Sequence, residues 1–249
     1  MNLPIKAMIL AAGRGERMRP LTDSCPKPLL KVRGKALIDW HVDALGRSGV
    51  REVVINTAWL GEQISSHLGA LRKLDEREQL SFSYSSEGDD FGYALETAGG
   101  IARALPLLGD AFWLLASDVF VPEFAFSPED VSRFLASGML AHLWLVPNPP
   151  HNLRGDFGLS ADGLALNLPL DFPAGDAVPR YTYSTIGLYR RELFDNLPFG
   201  NTPGLAVALA PLLRTAMDRQ QVSAELYPGA WTDVGTPARL AELNQNISN

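Results

Sequence analysis

Cysteine is almost missing from this chain. Cys25 is the only one in 249 residues, which excludes an intrachain disulfide and fits a reducing compartment. No apolar run approaches the ~20 residues that cross a bilayer as a helix. The start, Met1-Asn2-Leu3-Pro4-Ile5-Lys6, lacks the basic and then apolar build of a signal peptide. A cytoplasmic location away from membranes is the expectation. Positive charge is not in excess either: the net charge is −6, which argues against a broad grip on nucleic acid. Lysine is absent beyond Lys73, so any cationic ligand contact from the later two-thirds must come from arginine or a backbone N–H. What remains is a chain 46% hydrophobic and 20% charged, long enough for a sizeable core and compatible with one large α/β domain.

What is present is concentrated near the start. Lys6-Ala7-Met8-Ile9-Leu10-Ala11-Ala12 reads as a buried strand and runs into Gly13-Arg14-Gly15-Glu16-Arg17-Met18-Arg19-Pro20-Leu21-Thr22, with Pro26-Lys27-Pro28 following. Glycines let backbone N–H groups approach a ligand, and the clustered cations make that ligand an anion. Two common phosphate loops do not fit. The P-loop spacing G-x-x-x-x-G-K-[ST] fails, because Gly34-Lys35 is followed by Ala36 and has Leu29 where the first glycine belongs. The dinucleotide pattern G-x-G-x-x-G fails at Met18, and the second strand ends in Asn56 instead of a ribose-holding acid.

Further along, strand and helix patterns alternate. Strands are expected at Glu52–Asn56, Leu80–Tyr84 and Phe112–Ala116, with helices over 36–48, around Leu60, Ile64 and Leu68, and from Thr97 to Leu105. The second half is less regular. It reads as a helix over 128–137, a strand over 141–146, a hairpin over 157–168 turning at Asp162-Gly163, and a loop over 169–179. A strand over 181–189, a helix over 205–217 and a short strand over 222–226 follow. Thr236-Pro237 then opens a last helix reaching about Asn246. The alternation predicts an α/β fold with mostly parallel strands, in one domain over 1–249. Residues up to about 120 would grip one ligand and the remainder another.

The string Leu10-Ala11-Ala12-Gly13-x-Gly15-x-Arg17-Met18-x-Pro20-Leu21-Thr22-x4-Pro26-Lys27-Pro28 resembles the signature of the sugar-1-phosphate nucleotidyltransferases. The resemblance implies a Rossmann-like, three-layer nucleotide-diphospho-sugar transferase fold with a mixed, mostly parallel sheet. It implies two substrates, a nucleoside triphosphate and a sugar 1-phosphate, and places the phosphate-contacting catalytic cations at Arg17 and Lys27. The nucleotide would lie along Ala11, Ala12, Gly13, Arg14 and Gly15. A magnesium ion, held by carboxylates at strand ends together with phosphate oxygens, is the expected cofactor. The matching positions are Asp118, directly after a strand, and Asp233 in Trp231-Thr232-Asp233-Val234-Gly235-Thr236-Pro237. Where many relatives read Asn-Gly-Asp or Gly-Gly-Asp at the first aspartate, this chain reads Ala116-Ser117-Asp118.

The segment from Ser86 to Gly100 resembles the family's base- and sugar-lining stretch. It implies Glu87 near the base, Gly99 with its backbone close to the ligand, and Glu96 toward the sugar. An insertion at about Asp89–Ala94 sets Glu87 further from Leu95 than in typical relatives. Within the family the closest resemblance is to the N-acetylmuramate-1-phosphate uridylyltransferases of bacterial cell-wall recycling. It rests on Asn56-x-Ala58-Trp59-Leu60-Gly61, Leu95-Glu96-Thr97, Ala104–Asp110 and Arg154-Gly155-Asp156-Phe157. It implies UTP as the nucleotide and Asp156 at the sugar site. The Glu-Lys-Pro motif whose lysine meets the sugar phosphate in larger relatives is missing, so Arg154 is the expected substitute beside Lys27 and the metal. Mannose 1-phosphate with GTP is the alternative pair, and a non-catalytic nucleotide-sugar sensor the alternative class. The four histidines show no paired spacing and receive no acid–base role. Oligomeric state is not legible.

Overall fold

The protein is described here by a computed structural model covering residues 5–74, 80–169 and 178–245. The first half builds β1 (Lys6–Ala11), a short hairpin of β2 (Lys31–Val32) and β3 (Lys35–Ala36), α1 (Leu37–Arg47), β4 (Glu52–Thr57) and α2 (Gly61–Leu74). It continues with β5 (Ser81–Ser86), α3 (Glu87–Phe91), α4 (Glu96–Ala104), β6 (Ala111–Ala116) and β7 (Val119–Phe120). The second half adds α5 (Pro128–Ser137), β8 (Ala141–Val146), β9 (Phe157–Leu159), β10 (Ala165–Leu166) and β11 (Arg180–Arg190). It ends in α6 (Leu209–Asp218), β12 (Val222–Leu226), β13 (Thr232–Asp233) and α7 (Pro237–Gln245).

The central sheet runs β10-β9-β11-β6-β1-β4-β5, with β8 against β11 and β12 beyond it. Strands β5, β4, β1 and β6 are parallel, as the alternation predicts. The long β11 runs against β6 on one side and β8 on the other, which makes the sheet mixed. Side chains of β1 alternate across it: Ala7, Ile9 and Ala11 pack with Ile38, Val42 and Leu45 of α1 and Ile64 and Leu68 of α2. Met8 faces the other way, toward Ala98 and Ile101 of α4 and Leu213 and Met217 of α6. Helices therefore cover both faces, giving the three layers expected of a parallel sheet buried on both sides.

Two expectations shift. Helix α6 begins at Leu209, not Leu205, because the preceding segment is held extended against α4. The Val207 carbonyl accepts the Ala98 and Gly99 N–H groups, and Asn201 bonds to the Gly99 and Leu205 carbonyls. Helix α3 starts at Glu87 and runs into the expected insertion at about Asp89–Ala94; Tyr93 just beyond the helix donates to the Gly204 carbonyl, and Arg103 pairs with Asp90. Most of the expected 169–179 loop and the end of the last helix at Asn246 lie outside the described residues.

Candidate active site

The Gly-rich loop leaves the C-terminal end of β1 and is held by its own residues. Gly15 takes a φ of +68°, and a Cβ there would meet Thr22 at 3.1 Å and Lys27 at 3.4 Å, so this position requires glycine twice over. Its carbonyl accepts the Met18 N–H at 2.9 Å and the Thr22 hydroxyl at 2.8 Å. Gly13 has no protein atom within 4 Å of a Cβ built on it, so the fold itself does not demand a glycine there. Its bareness leaves backbone open to a ligand.

The loop separates its arginines. Arg14 turns away from the ligand face: its guanidinium lies 3.7 Å from the Trp59 ring centroid and donates to the Thr22 carbonyl and Asp23. Arg19 also pairs with Asp23. Arg17 is exposed and makes no hydrogen bond or ion pair among the described residues, and it lines a cleft of about 550 Å³. That volume is within the ~300–1,000 Å³ of small-molecule sites. Ala11, Ala12, Gly13, Gly15, Lys27, Glu87, Glu96 and Asp118 line it as well.

Lys27, buried but for 8% of its surface, donates to Asp118 Oδ2 at 2.6 Å. Asp118 and Asp233 come from opposite halves of the sequence and meet through a two-stranded sheet. In it β7 and β13 pair with Val119 opposite Asp233, and the Val234 N–H donates to the Asp118 carbonyl. A small apolar cluster drives the meeting. Met18, Leu30 and Val32 of the loop region pack with Leu37, Phe120, Val234 and Leu240, each beside or near a polar site residue. Burial of such side chains is worth about 1.5–3 kcal/mol each, ample to hold a two-residue strand pair in register. His41 lies beneath it, fully buried. Desolvation lowers its pKa to about 4, against a hydrogen bond to the Val119 backbone and the nearby Asp118 charge.

A buried relay backs one wall of the cleft. Asn56 accepts the Ala11 N–H at 2.8 Å and donates to Glu87 at 2.6 Å, while the other Glu87 oxygen accepts the Leu95 N–H at 2.7 Å. Glu87 is wholly buried, and burial raises its pKa despite these donors. It ties β1, β4, β5 and the start of α4 together, with both carboxylate oxygens engaged. Glu96, exposed at the cleft, takes a φ of +59°, a sparsely populated conformation for a non-glycine residue. Gly99 faces protein: a Cβ there would lie 2.3 Å from the Leu205 carbonyl oxygen.

In the second half of the chain, both oxygens of Asp156 are engaged, one by the Tyr183 N–H at 2.8 Å and one by Asn152 at 3.1 Å. This fastens β9 to β11. Arg154 is exposed and has no hydrogen bond among the described residues. Asp233 carries two partners: Arg239, in a short ion pair, and His151 Nε2 at 2.7 Å. Neither partner carried a signal, since Arg239 and His151 are 88 positions apart and His151 stands alone in its loop. Asn56 and Thr97, which the sequence motifs contain without a site role, both line the cleft.

The donor chemistry suits a hard divalent cation completed by phosphate oxygens. Two carboxylates sit on paired strands, each matched by a cationic side chain, and no group of three or more metal-ligating side chains exists among the described residues. A parallel sheet whose strand ends present a cationic Gly-rich loop opposite two carboxylates defines a class: proteins that seat nucleotide phosphates beside a metal. The chain belongs to the nucleotidyl transferase family, whose profile matches residues 6–161. It is thus an enzyme of nucleotidyl transfer, a chemistry that generally employs a divalent metal.

Among its relatives, an N-acetylmuramate alpha-1-phosphate uridylyltransferase of Neisseria meningitidis serogroup B is 45% identical over 96% of both chains. A protein of the same description from Caulobacter vibrioides is 32% identical over 96% of this chain and 98% of its own. A solved structure from Bacillus anthracis, provisionally described as a glucose-1-phosphate thymidylyltransferase, superposes with a TM-score of 0.74. It covers 98% of this chain and 96% of its own at 20% identity, a likeness of fold. No described helix is long and apolar enough to cross a membrane.

Proposed function

We propose that this chain transfers a uridylyl group from UTP to N-acetylmuramate 1-phosphate, releasing pyrophosphate, as a step of cell-wall recycling in the cytoplasm. The observation that carries the chemistry is a cleft lined by Arg17, which has no partner among the described residues, and by the Lys27–Asp118 pair, with Asp233 on the strand paired beside Asp118. The likeness to the Neisseria protein along nearly the whole of both chains supports the choice of substrates.

The sugar 1-phosphate oxygen attacks the α-phosphorus in line with the departing pyrophosphate, and no covalent enzyme intermediate is needed. Arg17 and Lys27 orient the triphosphate and stabilise the charge that develops on it. Asp118 and Asp233 would hold Mg²⁺, which when bound neutralises phosphate charge and polarises the α-phosphoryl group. The backbone of Ala11, Ala12, Gly13 and Gly15 approaches the nucleotide. The Asn56–Glu87 relay holds the base-side wall in place, with Glu87 and the neighbouring Gly99 supporting that wall. Glu96 faces the bound substrates from the α4 end, Asp156 anchors the sugar-side hairpin, and Arg154 is available to the sugar phosphate. Arg14 acts from behind the loop by fixing its path. Incubation with both substrates and Mg²⁺ is the direct test: a product with the mass of UDP-N-acetylmuramate is expected, and its absence contradicts the reading.

A further inference from the structure

Two dianionic or more highly charged phosphates must meet in this cleft, yet no lysine follows Lys73. Several arginines beyond Lys73 are committed elsewhere. Arg103 pairs with Asp90, Arg133 with Asp130, and Arg180 and Arg190 hold backbone carbonyls. Arg239, on the first turn of α7, is placed differently. A Cβ on Gly235, which lines the cleft, would lie 2.5 Å from Arg239 Nη2 and 2.9 Å from Asp233 Oδ2. Only a glycine lets the guanidinium lie this close to the cleft wall. Arg239 Nη1 rests on Asp233 Oδ1, with His151 Nε2 2.9 Å from that nitrogen and 2.7 Å from the same carboxylate oxygen. The guanidinium therefore stands against a carboxylate proposed to receive the metal.

We propose that Arg239 is a shared cation of the site: it neutralises Asp233 while the metal is absent, and metal binding frees it to take the phosphate of the sugar substrate. The inference deepens the functional reading above and rests on it. The physical reason is competition. A guanidinium and a divalent cation cannot both hold the same carboxylate oxygens closely, and the displaced guanidinium remains at the wall where a bidentate anion partner arrives. The same residue would supply the cation that the missing late lysines withhold.

The test is equilibrium Mn²⁺ binding, followed by the spin-resonance signal of the free ion, together with calorimetric binding of N-acetylmuramate 1-phosphate in the presence of Mn²⁺. Relative to the wild type, Arg239→Gln should bind Mn²⁺ several-fold tighter without substrate. It should bind the sugar phosphate about ten-fold to a hundred-fold more weakly, the loss expected for one charged hydrogen-bonding partner. Affinity for UTP should stay within about two-fold, since Arg17 and Lys27 remain. Unchanged or weaker Mn²⁺ binding, or unchanged sugar-phosphate binding, would overturn the proposal. Arg239→Met keeps the apolar stem and carries the same expectations should the glutamine variant fail to fold. Wild-type protein that forms no UDP-sugar would sink the functional reading, and the Mn²⁺ comparison would still judge Arg239.

Discussion

Arg14 and Arg17 are three positions apart in one loop and look equivalent in sequence. The Trp59 ring and the Thr22 carbonyl hold Arg14 off the cleft lining, and Arg17 has no partner among the described residues. A free cation on a cleft wall is desolvated usefully only when an anion arrives. Arg17→Ala should therefore lower kcat by about 10²–10³-fold, comparable to removing one preorganised donor from an anion site, with thermal stability unchanged. Initial rates and a melting curve check it, and a rate within a few-fold of wild type would remove Arg17 from the catalytic apparatus. His41 behaves in the opposite way, as a buried group with its protonated form suppressed. In the unfolded chain it takes up a proton as pH falls through about 6.5, whereas the folded chain resists until about 4. Its contribution is complete above pH 6.5 and is lost progressively as pH falls toward 4, with an upper bound of about 3 kcal/mol. Urea midpoints measured across that range should slope less in His41→Gln than in the wild type, and identical slopes would contradict the assignment.

Two-residue strands such as β7 and β13 are too short to carry any hydrophobic period, so nothing in the sequence announced them. Their pairing nonetheless joins Asp118 to Asp233, two aspartates marked in sequence by position and motif but not by proximity. The long strands and helices were legible because each presents a clean alternation or a helical stripe to the core. The start of α6 was misread for a related reason. Leu205 and Val207 are apolar and helix-compatible, but the Val207 carbonyl accepts the N-terminal Ala98 and Gly99 N–H groups of α4, and the Leu205 backbone is tied to the Asn201 side chain. This use explains Gly99, whose sequence signal looked like ligand approach and whose neighbour is the Leu205 carbonyl. Gly99→Ala should cost about 1–3 kcal/mol, the usual price of overpacking, by pushing the 201–207 segment off α4. Chemical denaturation reads it, and an unchanged midpoint would show that the segment shifts freely.

The whole molecule divides its tasks along the sheet. The parallel β5-β4-β1-β6 strands end at the Gly-rich loop and the Asn56–Glu87 relay, while β11 and the strands beside it support the loop bearing His151 and Arg154. Open α/β sheets bind ligands at such strand ends, so the position of the cleft follows from topology. The chemistry was legible early because the loop motif is long and local. The partners of Asp233 were not, because they arrive from β8–β9 and α7, which only the folded chain brings together. Pyrophosphate release across a panel of nucleotides and sugar 1-phosphates, with and without Mg²⁺, decides which pair of substrates is turned over at this cleft. UTP with N-acetylmuramate 1-phosphate should give the highest kcat/KM, and removing Mg²⁺ should abolish release. Faster turnover of GTP with mannose 1-phosphate, or no release with any pair, would contradict the account.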